Sequence, residues 1–393
     1  MRFSQASLIV GLLTLSCTSI HHPAPPAPKP LPDSAGVAHN PFEGARFYVN
    51  PGFVQEVEQT AATLPAKSAL LRKVEPYSTA VWIDEIAHID RVAQTLDGAA
   101  AEQKSANAPV LSVFVVYDLP NRDCAANASA GELAVGEEGE RRYRAEFIDA
   151  IAAQFRAHPG QRIVALVEPD SLGNLATNLN IHKCSVSNEA YRQSIAYAVK
   201  TLSLPNVSVY LDAAHAGWLG WNGNRDAIAG VYADVLTRAG GAHLIRGFFT
   251  NVANYNVVRG DDNRQLEPSN PCPDEMTYVY ELGKTLASAG IVGKHFIIDT
   301  GRDGRGGIRT KWGNWCNIKR AGLGERPRAS PAPGVDAFYW VKTPGESDGA
   351  ADPADPHFDM NCRSDDAEPG APPAGKWFAR YFVELAENAR PPL

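Results

Sequence analysis

The sequence predicts an α/β fold in which a parallel sheet closes, or nearly closes, into a barrel ringed by helices. Three observations point there. The chain has 393 residues, 44% of them hydrophobic, enough for one large barrel with a buried core. Short apolar, β-rich runs alternate with amphipathic stretches at helical period, the pattern of parallel strands joined by crossover helices. The runs are apolar on consecutive residues, which implies burial on both faces of the sheet.

The elements begin behind an N-terminal leader. Arg2 precedes an apolar run at 8–15, the pattern of a secretory signal and too short to span a bilayer, so residues 1–17 are read as a signal peptide. Leu-Ser-Cys at 15–17 also reads as a lipoprotein cleavage site with Cys17 as the lipidated residue. Residues 18–39, with His-His-Pro-Ala-Pro-Pro-Ala-Pro-Lys-Pro, favour polyproline II and form a linker. A single domain then occupies 40–393. Its expected strands are the seven runs 79–83, 110–117, 162–167, 207–211, 246–250, 294–298 and 335–340. Amphipathic helices are expected at 141–157, 189–202, 227–239 and 276–289.

Charge and cysteine usage narrow the partners. A net charge of −7, with Lys and Arg scattered, gives no footprint for nucleic acid. Export allows disulfides, and Cys124, Cys184, Cys272, Cys316 and Cys362 remain beyond the leader. None has the paired close spacing of a zinc site, so neither a metal nor a cofactor is expected, and two bridges with one leftover thiol is the simplest accounting.

Polar residues stand at the downstream ends of the runs: Asp118 and Asp123, Glu168 and Asp170, Asp212 and His215, Asn251 and Asn254, Asp299 and Arg302, Lys342 and Asp348. In a parallel barrel those ends converge on one face. Carboxylates crowded there can split into one protonated acid and several ionised partners, as glycosidic hydrolysis requires. Glu-Pro-Asp at 168–170 is the best candidate for the acid, with Pro169 fixing the backbone so that Glu168 and Asp170 are held at the rim. Arg122 and Asp123 form a second candidate, with Tyr117 facing the cleft beside them. Trp218 and Trp221, with Trp312, Trp315, Trp340 and Tyr48, supply flat faces on which a row of pyranose rings can stack.

The segments Tyr-Asp-Leu-Pro-Asn-Arg-Asp-Cys-Ala-Ala (117–126), Val-Glu-Pro-Asp-Ser-Leu (167–172), Leu-Asp-Ala-Ala-His-Ala-Gly-Trp-Leu-Gly-Trp (211–221), Thr-Asn-Val-Ala-Asn-Tyr-Asn (250–256), Trp-Gly-Asn-Trp-Cys-Asn (312–317) and Trp-Val-Lys-Thr-Pro-Gly-Glu-Ser-Asp-Gly (340–349) resemble glycoside hydrolase family 6, the cellobiohydrolases and endoglucanases. The resemblance implies a distorted seven-stranded parallel β/α barrel and inverting hydrolysis of β-1,4-glucosidic bonds in cellulose by a secreted monomer. It places the proton donor at Asp170, the carboxylate that keeps it protonated at Asp123, and the residue debated as the base at Asp348. Tyr117 would assist distortion of the reacting sugar. Arg122, Ser129, Asp212, His215, Trp218, Trp221, Asn254, Trp315, Lys342 and Glu346 would line glucose subsites. Disulfides Cys124–Cys184 and Cys316–Cys362 follow by the same matching. Two positions depart from the pattern: Tyr48 stands where many members carry a subsite tryptophan, and Ser347 replaces a frequent cysteine.

The long segment 350–376, carrying Cys362, resembles the lids of tunnel-forming cellobiohydrolases and favours cellobiose release from non-reducing ends over endo cutting. Two other readings stay open. A non-catalytic glucan-binding protein would need no proton donor, and a barrel enzyme for a phosphorylated metabolite would need an anion nest, for which Gly301-Arg-Asp-Gly-Arg-Gly-Gly is the candidate. That stretch is read here as a substrate-side loop.

Overall fold

The computed structural model describes residues 39–261 and 265–393. The expected leader, the lipidation of Cys17 and nearly all of the linker lie outside the described residues.

All seven expected runs are strands, and each sits within one or two residues of its expected bounds. They are β2 (Val81–Ile83), β3 (Val110–Val116), β4 (Arg162–Val167), β5 (Val207–Asp212), β6 (Gly247–Thr250), β7 (His295–Asp299) and β9 (Val335–Tyr339). Two further strands escape a pattern search. The first, β1 (Arg46–Phe47), has two residues; the second, β8 (Arg328–Ala332), is antiparallel to β9 and largely exposed. The sheet order is β1-β3-β4-β5-β6-β7-β9-β8, with β2 also on β3. β1 pairs with the start of β3 through Val110 and Leu111, while β2 pairs with its end from Phe114 to Val116.

The ring is nearly closed by one β-bridge and one side-chain hydrogen bond. Thr79 bridges Trp340 in parallel, the Ala80 N–H donates to the Trp340 carbonyl at 3.1 Å, and Trp82 Nε1 donates to the Val341 carbonyl at 2.9 Å. With one bridge instead of a ladder at this seam, the barrel is distorted there.

Burial on both faces accounts for the continuous apolar runs. Along β3 and β4, Leu111, Val113, Val115, Val164 and Leu166 fill the barrel interior with Phe42, Tyr210, Phe249 and Tyr339. Their neighbours Phe114, Val116, Ile163, Ala165 and Val167 point outward under the helices. Those helices include Asp90–Ala106, Asp149–Ala157, His182–Leu202, Asn222–Ala239 and Glu275–Ser288. The expected helix at 141–157 is interrupted, because Tyr143–Ile148 takes a π-helical turn that brings the Tyr143 hydroxyl to Glu168 Oε1 at 2.8 Å. A separate cluster packs Pro51–Thr63 and Ala379–Glu387 around Trp340 at the seam.

Both disulfides implied by the resemblance are present, Cys124–Cys184 and Cys316–Cys362, and Cys272 is a buried free thiol. No helix among the described residues is long and apolar enough to cross a membrane.

Candidate active site

At the downstream ends of the strands lies a cavity of about 760 Å³. Each parallel strand delivers residues to it through the loop that follows. Trp82 comes from β2, Tyr117, Arg122, Asp123 and Ser129 follow β3, and Asp170 follows β4. His215, Trp218 and Trp221 follow β5, Asn254 follows β6, Trp312 and Trp315 lie beyond β7, and Lys342, Glu346 and Asp348 close the circle after β9.

Asp170 leaves β4 in the left-handed region (φ 59°) and stands at the N-terminus of the helix Ser171–Thr177. Its backbone is fixed from both sides: its N–H donates to Asp212 Oδ2 at 3.1 Å, and its carbonyl accepts from Asn174 Nδ2 at 2.5 Å. Burial pushes its carboxyl well above the usual carboxylate range, and the charges of Asp212, Asp123 and Asp348 push it further. Burial and neighbouring negative charge thus act in the same direction on this carboxyl, both favouring its protonated form.

Asp123 also occupies the left-handed region (φ 54°), and its Oδ2 accepts from Ser129 Oγ at 2.6 Å. Burial raises it, while Ser129, Lys183 and Arg122 pull it back. Arg122 is more frame than ligand. Its guanidinium lies 4.4 Å from the Tyr117 ring centroid and donates to the carbonyls of Ser129 (2.8 Å), Asp84 (2.5 Å) and Tyr117 (2.5 Å). Asp348 is gripped by a cation and two neutral donors. Arg302 lies 2.8 Å from its Oδ1, and its Oδ2 accepts from Tyr255 OH at 2.9 Å and from the Asn317 N–H at 2.8 Å. Arg302 comes from the glycine-rich 301–307 loop, whose place is thus beside the carboxylates.

Aromatic and polar groups flank this centre on two sides. On one, the Trp82 ring meets Tyr117 edge-on at 5.6 Å, Lys342 Nζ lies 5.4 Å from the Trp82 centroid, and Glu346 is 3.5 Å from Lys342. On the other, Trp218 Nε1 donates to Thr177 Oγ1 at 2.8 Å and Trp221 packs edge-on against Trp312 at 5.6 Å. His215 sits between the amides of Asn254 (3.0 Å) and Asn256 (2.9 Å), and burial pushes it down to about 3, so the ring stays neutral.

A roof crosses the cavity. Asn127 Nδ2 donates to the Pro356 carbonyl at 2.9 Å, and its N–H reaches Asp359 Oδ2 at 3.3 Å, tying the loop after β3 to the segment stapled by Cys362. Gly349 and Ala128 meet so closely that a Cβ on the glycine would lie 2.7 Å from that of Ala128. His357 and Lys376 of the same long segment face the cavity.

Four expectations need correction. Tyr48 is not at the cavity: β1 pairs with the start of β3, the opposite end of the barrel, and the Tyr48 hydroxyl abuts Gly98 on the helix Asp90–Ala106. The aromatic at that side of the cleft is Trp82, whose position at the end of the first run was signal enough. Asp212 does not line the cavity; it is buried, with Oδ2 accepting from the N–H groups of Asp170 and Ala214, both at 3.1 Å. It therefore acts on Asp170 and not on a sugar. Trp340 is fully buried, its ring against Tyr77 at 5.4 Å and its Nε1 on the Glu325 carbonyl at 3.0 Å. Glu168 lies beneath the rim, accepting from the N–H groups of Asp118 and Leu119 and from Tyr143. Cavity residues that the sequence reading missed include Asn174 on the helix Ser171–Thr177, Asn178 at the end of that helix, and Arg309 and His357, which sit in loops without strand or helix periodicity.

Comparisons with known proteins agree with this geometry. The family model described as Glycosyl hydrolases family 6 matches residues 42–389. Exoglucanase 3 of Agaricus bisporus is 42% identical over 359 residues, covering 91% of this chain and 80% of that protein. The 1,4-beta-D-glucan cellobiohydrolase CEL6C of Podospora anserina is 40% identical, covering 97% of this chain and 98% of its own length. Among solved structures, CcCel6C, a glycoside hydrolase family 6 enzyme from Coprinopsis cinerea, superposes with a TM-score of 0.86 at 39% identity, over 90% of this chain and 99% of that one. Cellobiohydrolase II (Cel6A) from Humicola insolens in complex with glucose and cellotetraose gives 0.87 at 38% identity, over 90% and 100%.

Proposed function

Because the chain belongs to glycosyl hydrolases family 6 and is a glycoside hydrolase, we propose that it cleaves β-1,4-glucosidic bonds in cellulose with inversion, releasing cellobiose from non-reducing chain ends, with Asp170 as the general acid. The observation that carries this reading is the half-buried Asp170 carboxyl, set among the charges of Asp212, Asp123 and Asp348 in a cavity flanked by tryptophans.

Asp170 gives its proton to the glycosidic oxygen as the bond to the anomeric carbon breaks, and water attacks that carbon from the opposite face. Asp123, which carries one side-chain hydrogen bond, from Ser129, organises that water and takes up the proton it sheds. Asp348, held by Arg302, Tyr255 and Asn317, serves as a fixed negative charge near the developing oxocarbenium. Tyr117 presses on the reacting ring from beside Trp82. Arg122 and Ser129 shape the Asp123 loop, and Asp212 holds Asp170. Glucose units stack on Trp82, Trp315, Trp218 and Trp221, with Lys342, Glu346, His215 and Asn254 meeting their hydroxyls. The roof from Asn127 to 356–359 supports threading of a chain end over endo cutting, and the exoglucanase and cellobiohydrolase names of the relatives point the same way. The substrate being an insoluble polymer, the enzyme works outside the cell as a secreted monomer, residues 40–393 forming its catalytic domain behind a signal and linker.

Asp170→Ala tests the acid. Release of sugar from cellulose should fall by about 10²–10⁴ while cellohexaose binding persists. Full activity in that variant would remove the assignment. Parallel digestion of carboxymethylcellulose and crystalline cellulose should give cellobiose with little loss of viscosity; a rapid viscosity drop would mean endo action.

A further inference from the structure

Asn121 and Asp123 both adopt left-handed backbone, at φ 59° and 54°. For a non-glycine residue that costs roughly 1–2 kcal/mol, so it persists only where the surroundings hold it. The helix His182–Leu202 supplies the hold. Lys183, Ser187 and Tyr191 recur every fourth residue and so share one helical face. Tyr191 OH donates to the Asn121 carbonyl at 2.7 Å, and Lys183 Nζ donates to the carbonyls of Arg122 at 3.1 Å and Asp123 at 3.2 Å. Ser187 Oγ accepts from Asn121 Nδ2 at 3.1 Å, and the adjacent Cys184 is bonded to Cys124. Three consecutive carbonyls are thus captured by one face of one helix.

The same face brings a charge. The groups acting on Asp123 are Ser129 and Arg122 on its own loop, Lys183 on the helix and Asp359 in the roof; Asp170 and Tyr117 share the cavity with it. Arg122 is occupied with the carbonyls of Ser129, Asp84 and Tyr117 and lies 3.8 Å from Asp118. Lys183 ends on the peptide of Asp123 itself, lies outside the cavity lining, and is half-buried.

We propose that Lys183 is a positioning residue for hydrolysis: it fixes the left-handed turn at Asp123 and sets a positive charge behind the Asp123 loop, beside Asp170. The inference rests on the reading of Asp170 as the acid.

The test is the pH profile of kcat and KM on cellotetraose for the full chain and for Lys183→Met, Lys183→Arg and Tyr191→Phe. Removing the charge makes Asp123 easier to protonate, so the acid limb of Lys183→Met should move to higher pH by about 1 unit. Its kcat at the wild-type optimum should fall about tenfold, equivalent to roughly 1.4 kcal/mol, with KM nearly unchanged. Lys183→Arg should restore the limb. Tyr191→Phe, which keeps the charge and loses a carbonyl donor, should lower kcat without moving the limb. A Lys183→Met enzyme with the wild-type acid limb overturns the proposal, as does an Arg variant no better than Met. Should Lys183→Met fail to fold, Lys183→Gln carries the same expectation. Asp170→Ala assayed alongside separates the two claims: activity there sinks the acid assignment, whereas an inactive Asp170→Ala with a wild-type-like Lys183→Met sinks only the role of Lys183.

Discussion

Asp212 and Asp170 are the same side chain in two settings. Asp212 accepts from two backbone N–H groups, and burial carries it to about 7. Among the described residues no donor reaches the Asp170 carboxyl, and three neighbouring charges act on it, led by that of Asp212. With Asp170 as the proposed acid, loss of its proton would set the alkaline limb of activity. Removing the Asp212 charge lowers the value for Asp170, so Asp212→Asn should move the alkaline limb of kcat/KM to lower pH, by about 1 unit. An unmoved limb would show that burial alone holds the proton. Trp82 makes a second residue-scale test. Trp82→Ala should weaken cellobiose binding roughly tenfold, or about 1.4 kcal/mol, whereas Tyr48→Ala should leave the affinity unchanged in calorimetric titration. The reverse result would restore Tyr48 to the cleft.

Strands buried on both faces announce themselves as apolar runs, which is why β2 to β7 and β9 were legible. β1 has too few residues for a period, and β8, Arg-Ala-Ser-Pro-Ala, lies at the sheet edge with only Ala329 and Ala332 packed against the cores. The site divides the same way. Tyr117, Asp123, Asp170, His215 and Asp348, read from strand-end segments, do line the cavity, but sequence could not tell whether an aspartate there faces the cavity or the backbone, as Asp212 shows. Nor could it tell that Arg302 would cross from the 301–307 loop to Asp348. The roof is an element whose integrity depends on Cys316–Cys362, separated by 46 residues. Closing a loop of that length contributes about 4 kcal/mol in the chain-entropy account. The double variant Cys316→Ser, Cys362→Ser should lower the melting temperature and increase the viscosity loss of carboxymethylcellulose per bond cut, because a loosened roof admits internal chain segments. Unchanged product lengths would show that the Asn127 contacts alone keep the roof shut.

The whole molecule buries an unusual number of raised carboxylates around one barrel mouth: Glu168 at about 7, Glu275 at about 8 and Asp118 at about 9, each pushed up first by burial. A group whose folded value is raised stabilises fully below its unfolded value, near 4, and loses that contribution as the pH climbs through the folded value. The melting temperature should therefore fall between about pH 4 and about pH 9, and Asp118→Asn, which removes the group with neither oxygen hydrogen-bonded, should flatten that decline. A counterweight sits at the other end of the barrel. Asp336 accepts from Arg246 twice at 2.8 Å and from Tyr210 at 2.6 Å, and is held below the usual range, so its contribution is present above about pH 4 and lost on further acidification. At one barrel mouth burial thus raises both the acids that weaken the fold in alkali and, with the charges of Asp212, Asp123 and Asp348 added, the carboxyl of Asp170. The most direct test is a titration of that carboxyl by ¹³C NMR on selectively labelled enzyme. The Asp170 resonance should remain that of a protonated acid through neutral pH, far above the ordinary aspartate range; a carboxyl that ionises near pH 4 would contradict the account.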